Sequence, residues 1–183
     1  MTGGPCRFCG AALTRSFVDL GRSPLSNAFL TVDQLQEMEP HYPLHVYVCE
    51  TCLLVQLKAF ATPERIFGDY LYFSSFSDGW LRHADDYAAR MTAELGLAAG
   101  SLVVEVASND GYLLQYFQQR GVGVLGVEPA ANVARVAEAK GVPTDVAFFG
   151  VATARRLVAA GGGRQGRRPD LRQQCSGACA GPE

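Results

Sequence analysis

The sequence predicts an α/β protein, in which part of a doubly wound parallel sheet follows a small β-rich module stapled by a metal. Three observations carry that expectation. Two C-x-x-C pairs, Cys6/Cys9 and Cys49/Cys52, lie about forty residues apart. An apolar, β-branched run, Leu102-Val-Val-Glu-Val106, opens a stretch in which strand and helix patterns alternate with short turns. Composition completes the case: 48% hydrophobic and 19% charged residues with a formal net charge of −2 over 183 residues fit one domain plus a module.

The first element is a pair of knuckles. Each C-x-x-C aims two thiolates from one tight turn, and two such turns supply the four soft ligands that tetrahedral zinc prefers. Cys6-Arg7-Phe8-Cys9-Gly10 has a glycine just after its knuckle, and Val46-Tyr47-Val48 runs as a strand into Cys49-Glu50-Thr51-Cys52. Disulfides are the alternative, but Met-Thr-Gly-Gly-Pro-Cys lacks the charged and apolar regions of a secretory leader. A redox dithiol is another, and it needs only one pair. The closed four-sulfur pattern predicts a structural Zn2+ that holds the fold and does no chemistry. With four positions filled by cysteine, His41, His45 and His83 read as ordinary polar residues, His83 having some chance of facing a substrate.

Four stretches follow from the pattern: 1–58, the zinc module; 59–100, an aromatic segment and linking helix; 101–163, the α/β part; and 164–183, a tail. Leu25–Leu30 reads as a loop leading to a helix at Val32–Met38. Phe67–Ser77 packs many rings and hydroxyls into few residues. Trp80–Leu95 has Trp80, Tyr87, Met91 and Leu95 at helical spacing, with Gly96 placed to end it. Leu102–Val106 has the continuous apolar character of a strand buried on both faces. After the turn Ser108–Gly111, a helix is expected over Tyr112–Arg120, with Leu113, Leu114, Tyr116 and Phe117 inward and Gly121 as its cap. Strand Val122–Val127, helix Ala130–Lys140, strand Thr144–Phe148 and helix Val151–Ala160 complete the alternation. Such sheets bind ligands at the carboxyl ends of their strands.

The turn after the first of these strands narrows the ligand. A dinucleotide loop needs G-x-G-x-x-G, but the aligned positions hold Ala107, Asn109 and Tyr112, which argues against a phosphate cradle and an NAD-dependent oxidoreductase. The S-adenosylmethionine (SAM) pattern is an acid followed by glycines at alternate positions. Here it reads Glu105-x-Ala107-x-Asn109-x-Gly111, keeping the acid and the last glycine. SAM carries no phosphate, so its loop tolerates side chains better. Its ammonium needs acceptors, which Glu105, Asp110 and strand-end carbonyls supply. Glu128, ending the next strand, is placed to accept both ribose hydroxyls. The predicted cofactor-binding set is Glu105, Ala107, Ser108, Asn109, Asp110, Gly111 and Glu128.

The order of motifs is specific in combination: the knuckles, Pro24-Leu-Ser-Asn27, Tyr70-x-Tyr-Phe-Ser-Ser75, Glu105-Val-Ala-Ser-Asn-Asp-Gly-Tyr-Leu-Leu114 and Gly126-Val-Glu-Pro129. It resembles the sugar C-methyltransferase family over residues 5–163. The resemblance implies a class I methyltransferase (Rossmann-like) sheet, SAM as methyl donor, and a nucleotide-activated keto-deoxysugar as substrate. It also implies a zinc-binding N-terminal domain that covers the SAM domain and helps bind the nucleotide-sugar, with a further C-terminal domain carrying much of the sugar site. In such chemistry a ketone acidifies the neighbouring C–H, a base removes the proton, and the enolate attacks the sulfonium methyl in line; positioning supplies much of the rate. Tyr70 and Tyr72 become candidates for substrate contact or proton handling, with Ser74 and Ser75 as hydrogen-bonding partners of the substrate. Interdomain packing is the other reading of that cluster.

The family pattern stops after Gly163, where a charged, glycine-rich stretch stands in place of a fourth strand. Shifted by one base, codons able to encode Arg167 onward can read Ala-Asp-Leu-Ile-Cys-Ala-Asn-Asn-Val-Leu-Ala-His, an apolar strand and a family-like motif. The expectation is a frameshifted, truncated member that is an inactive fragment, its tail disordered and Cys175 and Cys179 accidents of the wrong frame. A non-catalytic zinc-ribbon module fused to a nucleotide-binding half-domain is the alternative. A pI near 5.9 and no basic stripe argue against nucleic acid. The absence of a long apolar run argues against a membrane span, and a cytoplasmic location is expected.

Overall fold

A computed structural model of the protein describes residues 3–161. The chain divides into two units, the first ending at Ile66 and the second beginning at Phe67. The expectations for the tail and for Cys175 and Cys179 lie outside the described residues. Among those residues no helix is long and apolar enough to cross a membrane.

The first unit is an antiparallel sheet of three strands in sequence order: β1 (Arg15–Ser23), β2 (Tyr42–Val48) and β3 (Val55–Leu57). Register between β1 and β2 slips twice, between Ser16 and Val18 and between Asp19 and Arg22, where extra residues bend the edge strand. A short bridge joins Pro5 and Ala12 beside the first knuckle. Cys6, Leu13, Tyr47 and Cys49 form its small buried core. The helix expected at Val32–Met38 is only a 3₁₀ turn, Asp33–Gln36. Val32, Leu35 and Met38 stay exposed, and a short helix with no surface to pack on among the described residues is not sustained by propensity. A five-residue helix, α1 (Pro63–Phe67), ends at the boundary between the units.

The second unit is a three-stranded parallel sheet, β4 (Leu102–Val106), β5 (Gly123–Val127) and β6 (Thr144–Asp145), paired in that order. Helices α3 (Leu114–Gln119), α4 (Ala131–Ala139) and α5 (Val151–Gly161) alternate with the strands. The long α2 (Asp78–Leu95) precedes them, capped by the Ser77 hydroxyl, which accepts from the Trp80 amide. Its buried centre is Ala84 and Ala88, with Tyr87 and Met91 flanking; Trp80 and Leu95 lie toward the exposed side. Small side chains there let α2 lie close to Leu113, Leu114 and Phe117, each large apolar burial contributing roughly 1.5–3 kcal/mol.

Two strand expectations change. β6 has two residues, since β5 offers it only Gly126 and Val127 before Glu128-Pro129 ends the ladder. β4 is not buried on both faces: Val103, Val104 and Val106 are half-buried, Leu102 is exposed, and the buried residue is Glu105. Within the described residues β4 has a neighbour on one side only, which leaves its apolar side chains partly uncovered.

Candidate functional site

In the first unit the chain folds both knuckles against each other. The amides of Gly10 and Leu53 reach back to the carbonyls of Cys6 and Cys49 at 2.9 Å each, so the two turns are congruent. Both need a left-handed residue after the second cysteine, with φ of 74° at Gly10 and 63° at Leu53. The four Sγ atoms lie within 4.8 Å of one another, Cys6–Cys52 at 3.7 Å and Cys9–Cys49 at 3.5 Å. A regular tetrahedron of sulfurs about 2.3 Å from zinc has edges of about 3.8 Å, so the spacing fits the ion. It is far beyond a disulfide bond of about 2.05 Å, and all four cysteines are free.

Electrostatics point the same way. Backbone N–H groups of Cys9, then the Gln56 side chain and the Phe8 backbone, outweigh burial and lower Cys6 to about 6. Cys49 is lowered similarly, first by the Cys52 backbone. At Cys52 a backbone N–H at Leu54 lowers the thiol, but burial and the three other sulfurs push it up to about 12. Four thiols this close do not all ionise without a cation among them. The sequence reading missed Gln56, which is buried, donates from Nε2 to Cys6 Sγ at 3.1 Å and accepts the Arg7 amide at 3.0 Å. A glutamine in a three-residue strand has no periodic signal that marks such a role. His41 lies just before β2 against the Glu39 carbonyl, and His45 lies within β2 between Ser16 and Tyr47.

In the second unit the candidate cofactor residues gather at the carboxyl end of β4. Ala107 and Asn109 have φ of 57° and 50°, and Gly111 has 75°, so the turn keeps a glycine-like backbone where two glycines are replaced. Val127 O fixes the Ala107 amide at 2.8 Å, and Glu128 Oε2 accepts from the Asn109 amide at 3.0 Å. Glu128 Oε1 accepts from the Ala130 amide at 2.9 Å, which locks the carboxylate between the turn and the start of α4. Burial raises Glu128, against the two amides that lower it.

Glu105 sits just below, 8% exposed. Desolvation raises it to about 8, with the Tyr112 hydroxyl lowering it and the charges of Glu128 and Asp110 raising it further. Asp110 is 2% exposed and paired through Oδ2 with Lys140 Nζ at 2.9 Å. Glu105 Oε2, Asp110 Oδ1 and Ser108 Oγ are buried with no hydrogen-bond partner among the described residues. Three orphaned acceptors around one turn suit a ligand that brings donors and positive charge, as the ammonium and sulfonium of SAM do.

The aromatic candidates are held beside this turn by groups the sequence reading did not single out. Asn132 accepts from the Tyr70 amide at 3.2 Å and donates to its carbonyl at 2.7 Å. Asn109 accepts from the Ser74 amide at 2.8 Å and donates to the Tyr72 carbonyl at 3.0 Å. Ser75 accepts from Lys140 at 2.7 Å. Tyr72 is more than half exposed, and the Tyr70 ring lies 5.9 Å from that of Phe67. His83 stacks on Trp80 at 5.3 Å and Trp80 on Tyr112 at 5.9 Å, which places His83 at the outer end of a ring stack. Nothing in the sequence shows that Asn132, early in a helix, bonds a backbone sixty-two positions away.

Two comparisons bear on this arrangement. A family model described as "Putative zinc binding domain" matches residues 6–67. The C-methyltransferase NovU of Streptomyces niveus is 37% identical over 144 residues, which is 79% of this chain and 34% of that protein. The chain therefore spans about a third of the length of this curated relative. The cysteine framework, the turn after β4 and both matches converge, and the chain belongs to the C-methyltransferase family that its motifs resemble.

Proposed function

We propose that the chain carries the zinc module and the cofactor half-site of a SAM-dependent C-methyltransferase acting on a carbon beside the ketone of a nucleotide-activated deoxysugar. The observation that carries this is the group of buried, unpartnered acceptors at Glu105, Ser108 and Asp110, set beside the locked carboxylate of Glu128. The similarity to NovU, a C-methyltransferase, supports the reaction class.

Each residue then has a task. Asp110 accepts from a cationic group, and Glu105, whose carboxyl burial holds protonated in the absence of a cation, accepts once the cation's charge drives that proton to solvent; low exposure strengthens both contacts because solvent does not compete. Both Glu128 oxygens are fixed by amides and retain lone pairs for two adjacent hydroxyls. Ala107, Ser108, Asn109 and Gly111 shape the turn. Bound SAM supplies an electrophilic methyl carbon. Tyr70 and Tyr72 contact the substrate or handle its proton, and Ser74 and Ser75 hydrogen-bond to it. The four cysteines hold zinc and keep the first unit folded. The same reading carries the expectation that these 183 residues alone transfer no methyl group, whereas a chain with its reading frame restored after Gly163 does.

Calorimetric titration of the purified chain with SAM, S-adenosylhomocysteine and NAD tests the cofactor half-site. Saturable binding of the two adenosyl ligands, with none for NAD, is expected. Heat from NAD equal to that from SAM, or no heat from SAM, overturns the assignment.

A further inference from the structure

In an extended chain the N–H and C=O of alternate residues point to the same edge, which is what a neighbouring strand uses in a ladder. Tyr70, Tyr72 and the amide of Ser74, which follows the extended Phe73 and opens a 3₁₀ turn (Ser74–Phe76), present such groups, yet no strand among the described residues pairs with them. Two side-chain amides do so instead. Asn132 takes both the amide and the carbonyl of Tyr70, at 3.2 and 2.7 Å. Asn109 takes the Tyr72 carbonyl and the Ser74 amide, at 3.0 and 2.8 Å. A primary amide offers one acceptor and two donors in a plane, as a peptide group does, so each asparagine substitutes for one residue of a missing strand. Lys140, ion-paired with Asp110, ties Ser75 as a third point.

All three anchors belong to the candidate cofactor site or its frame. Asn109 lies within the turn after β4, its own amide held by Glu128; Asn132 lies in the first turn of α4, just beyond the Ala130 amide that Glu128 also holds. Two amides thus join the segment that carries Tyr70 and Tyr72 to both sides of the Glu128 carboxylate.

We propose that Asn109 and Asn132 are positioning residues that act as a two-residue surrogate strand, fixing the Tyr70–Ser74 backbone beside the cofactor turn so that cofactor binding and the order of this segment are coupled. The coupling rests on the methyltransferase reading above, while the clamp itself does not.

Asn132 is the residue to change, because Asn109 also has a left-handed backbone that a substitution would strain. Hydrogen exchange is followed on the full chain, with and without saturating S-adenosylhomocysteine, for wild type, Asn132→Ala and Asn132→Asp. In Asn132→Ala, exchange across residues 69–75 should rise about tenfold, the effect of losing one net hydrogen bond or somewhat more, with β4 and the rest of α4 unchanged. Asn132→Asp keeps the acceptor and loses the donor, so it should fall between the two. A residue serving only the start of α4 predicts the opposite for aspartate, which the helix N-terminus favours. S-adenosylhomocysteine should slow exchange over 69–75 in wild type and bind Asn132→Ala several-fold more weakly. Unchanged exchange over 69–75 in both variants, or a rise spread equally over β4 and α4, overturns the clamp. Unaltered affinity in Asn132→Ala with a loosened segment overturns the coupling. Failure of wild type to bind S-adenosylhomocysteine overturns the methyltransferase reading and the coupling, and exchange over 69–75 still decides the clamp.

Discussion

Glu105 shows how much one residue decides. It stands in the middle of β4, and it is the buried side chain of a strand whose valines are half-covered. Burial raises its carboxyl from the ordinary 4.5 to about 8, against the Tyr112 hydroxyl that lowers it. The consequence for stability has a definite sign. Below the unfolded value both states are protonated and the full stability is present. As pH rises toward 8 the unfolded chain releases the proton while the folded one retains it, so unfolding is increasingly favoured. The loss is complete above the folded value and is on the order of 5 kcal/mol at most. The second unit should therefore unfold at lower urea at pH 8.5 than at pH 6, and Glu105→Gln should flatten that difference and gain stability at the higher pH. A Glu105→Gln protein with the same pH dependence as wild type would refute the assignment. Glycines at 107 and 109 would have made this turn easy to recognise; Ala107 and Asn109 hide it, yet the backbone keeps the same handedness because Val127 and Glu128 hold both amides.

At the scale of elements, the two knuckles are one device built twice with unequal materials. Gly10 takes the left-handed position at no steric cost, and an added Cβ there meets nothing within 4 Å. Leu53 takes the same position with a side chain 73% exposed, so it gives up backbone energy without gaining packing. Leu53→Gly should stabilise the zinc-loaded first unit by about 0.5–1 kcal/mol, the left-handed cost less the extra entropy of glycine, and Gly10→Ala should destabilise it comparably. Competition with a chromogenic chelator reads both; a Leu53→Gly protein that releases zinc more readily than wild type contradicts the argument. A close approach has a parallel role in the sheet. β5 passes beneath the cofactor turn at Gly126, where a Cβ would stand 2.4 Å from Ser108 Oγ. That contact gives the Gly126-Val-Glu-Pro motif a physical basis.

Across the molecule the two units differ in what holds them. The first has Cys6, Leu13, Tyr47 and Cys49 at its centre, and two of those are metal ligands. The second has a continuous apolar core from Ala84 and Ala88 through Leu114 and Phe117 to Val124 and Val142. A core as small as the first does not offset the entropy of ordering its strands, so zinc binding supplies the difference. Removing zinc with a strong chelator should release amide protection in β1–β3 while β4, β5, α3 and α4 keep theirs. Elemental analysis should give one zinc per chain beforehand. Protection in β1–β3 that survives complete loss of metal would show that the cysteines do not staple the unit.

Sequence alone determined the elements whose signals are local. The C-x-x-C spacing marks the knuckles, the β-branched runs mark β4 and β5, and periodic apolar residues ended by Gly96 mark α2. Those signals depend on side-chain spacing along one element, which the sequence records directly. It also placed Glu105, the turn to Gly111 and Glu128 at consecutive strand ends, because alternation of strand and helix fixes where those ends meet. Tertiary structure decided the rest. Only packing showed that Ala84 and Ala88, not Trp80 and Leu95, centre α2, and that Val32–Met38 has nothing to fold against among the described residues. Only packing brought Asn132 to the Tyr70 backbone, Gln56 to a cysteine sulfur and Lys140 to Asp110. Each of those contacts joins a polar side chain to a partner far along the chain, and hydrogen bonds of that kind leave no periodicity for a sequence to carry.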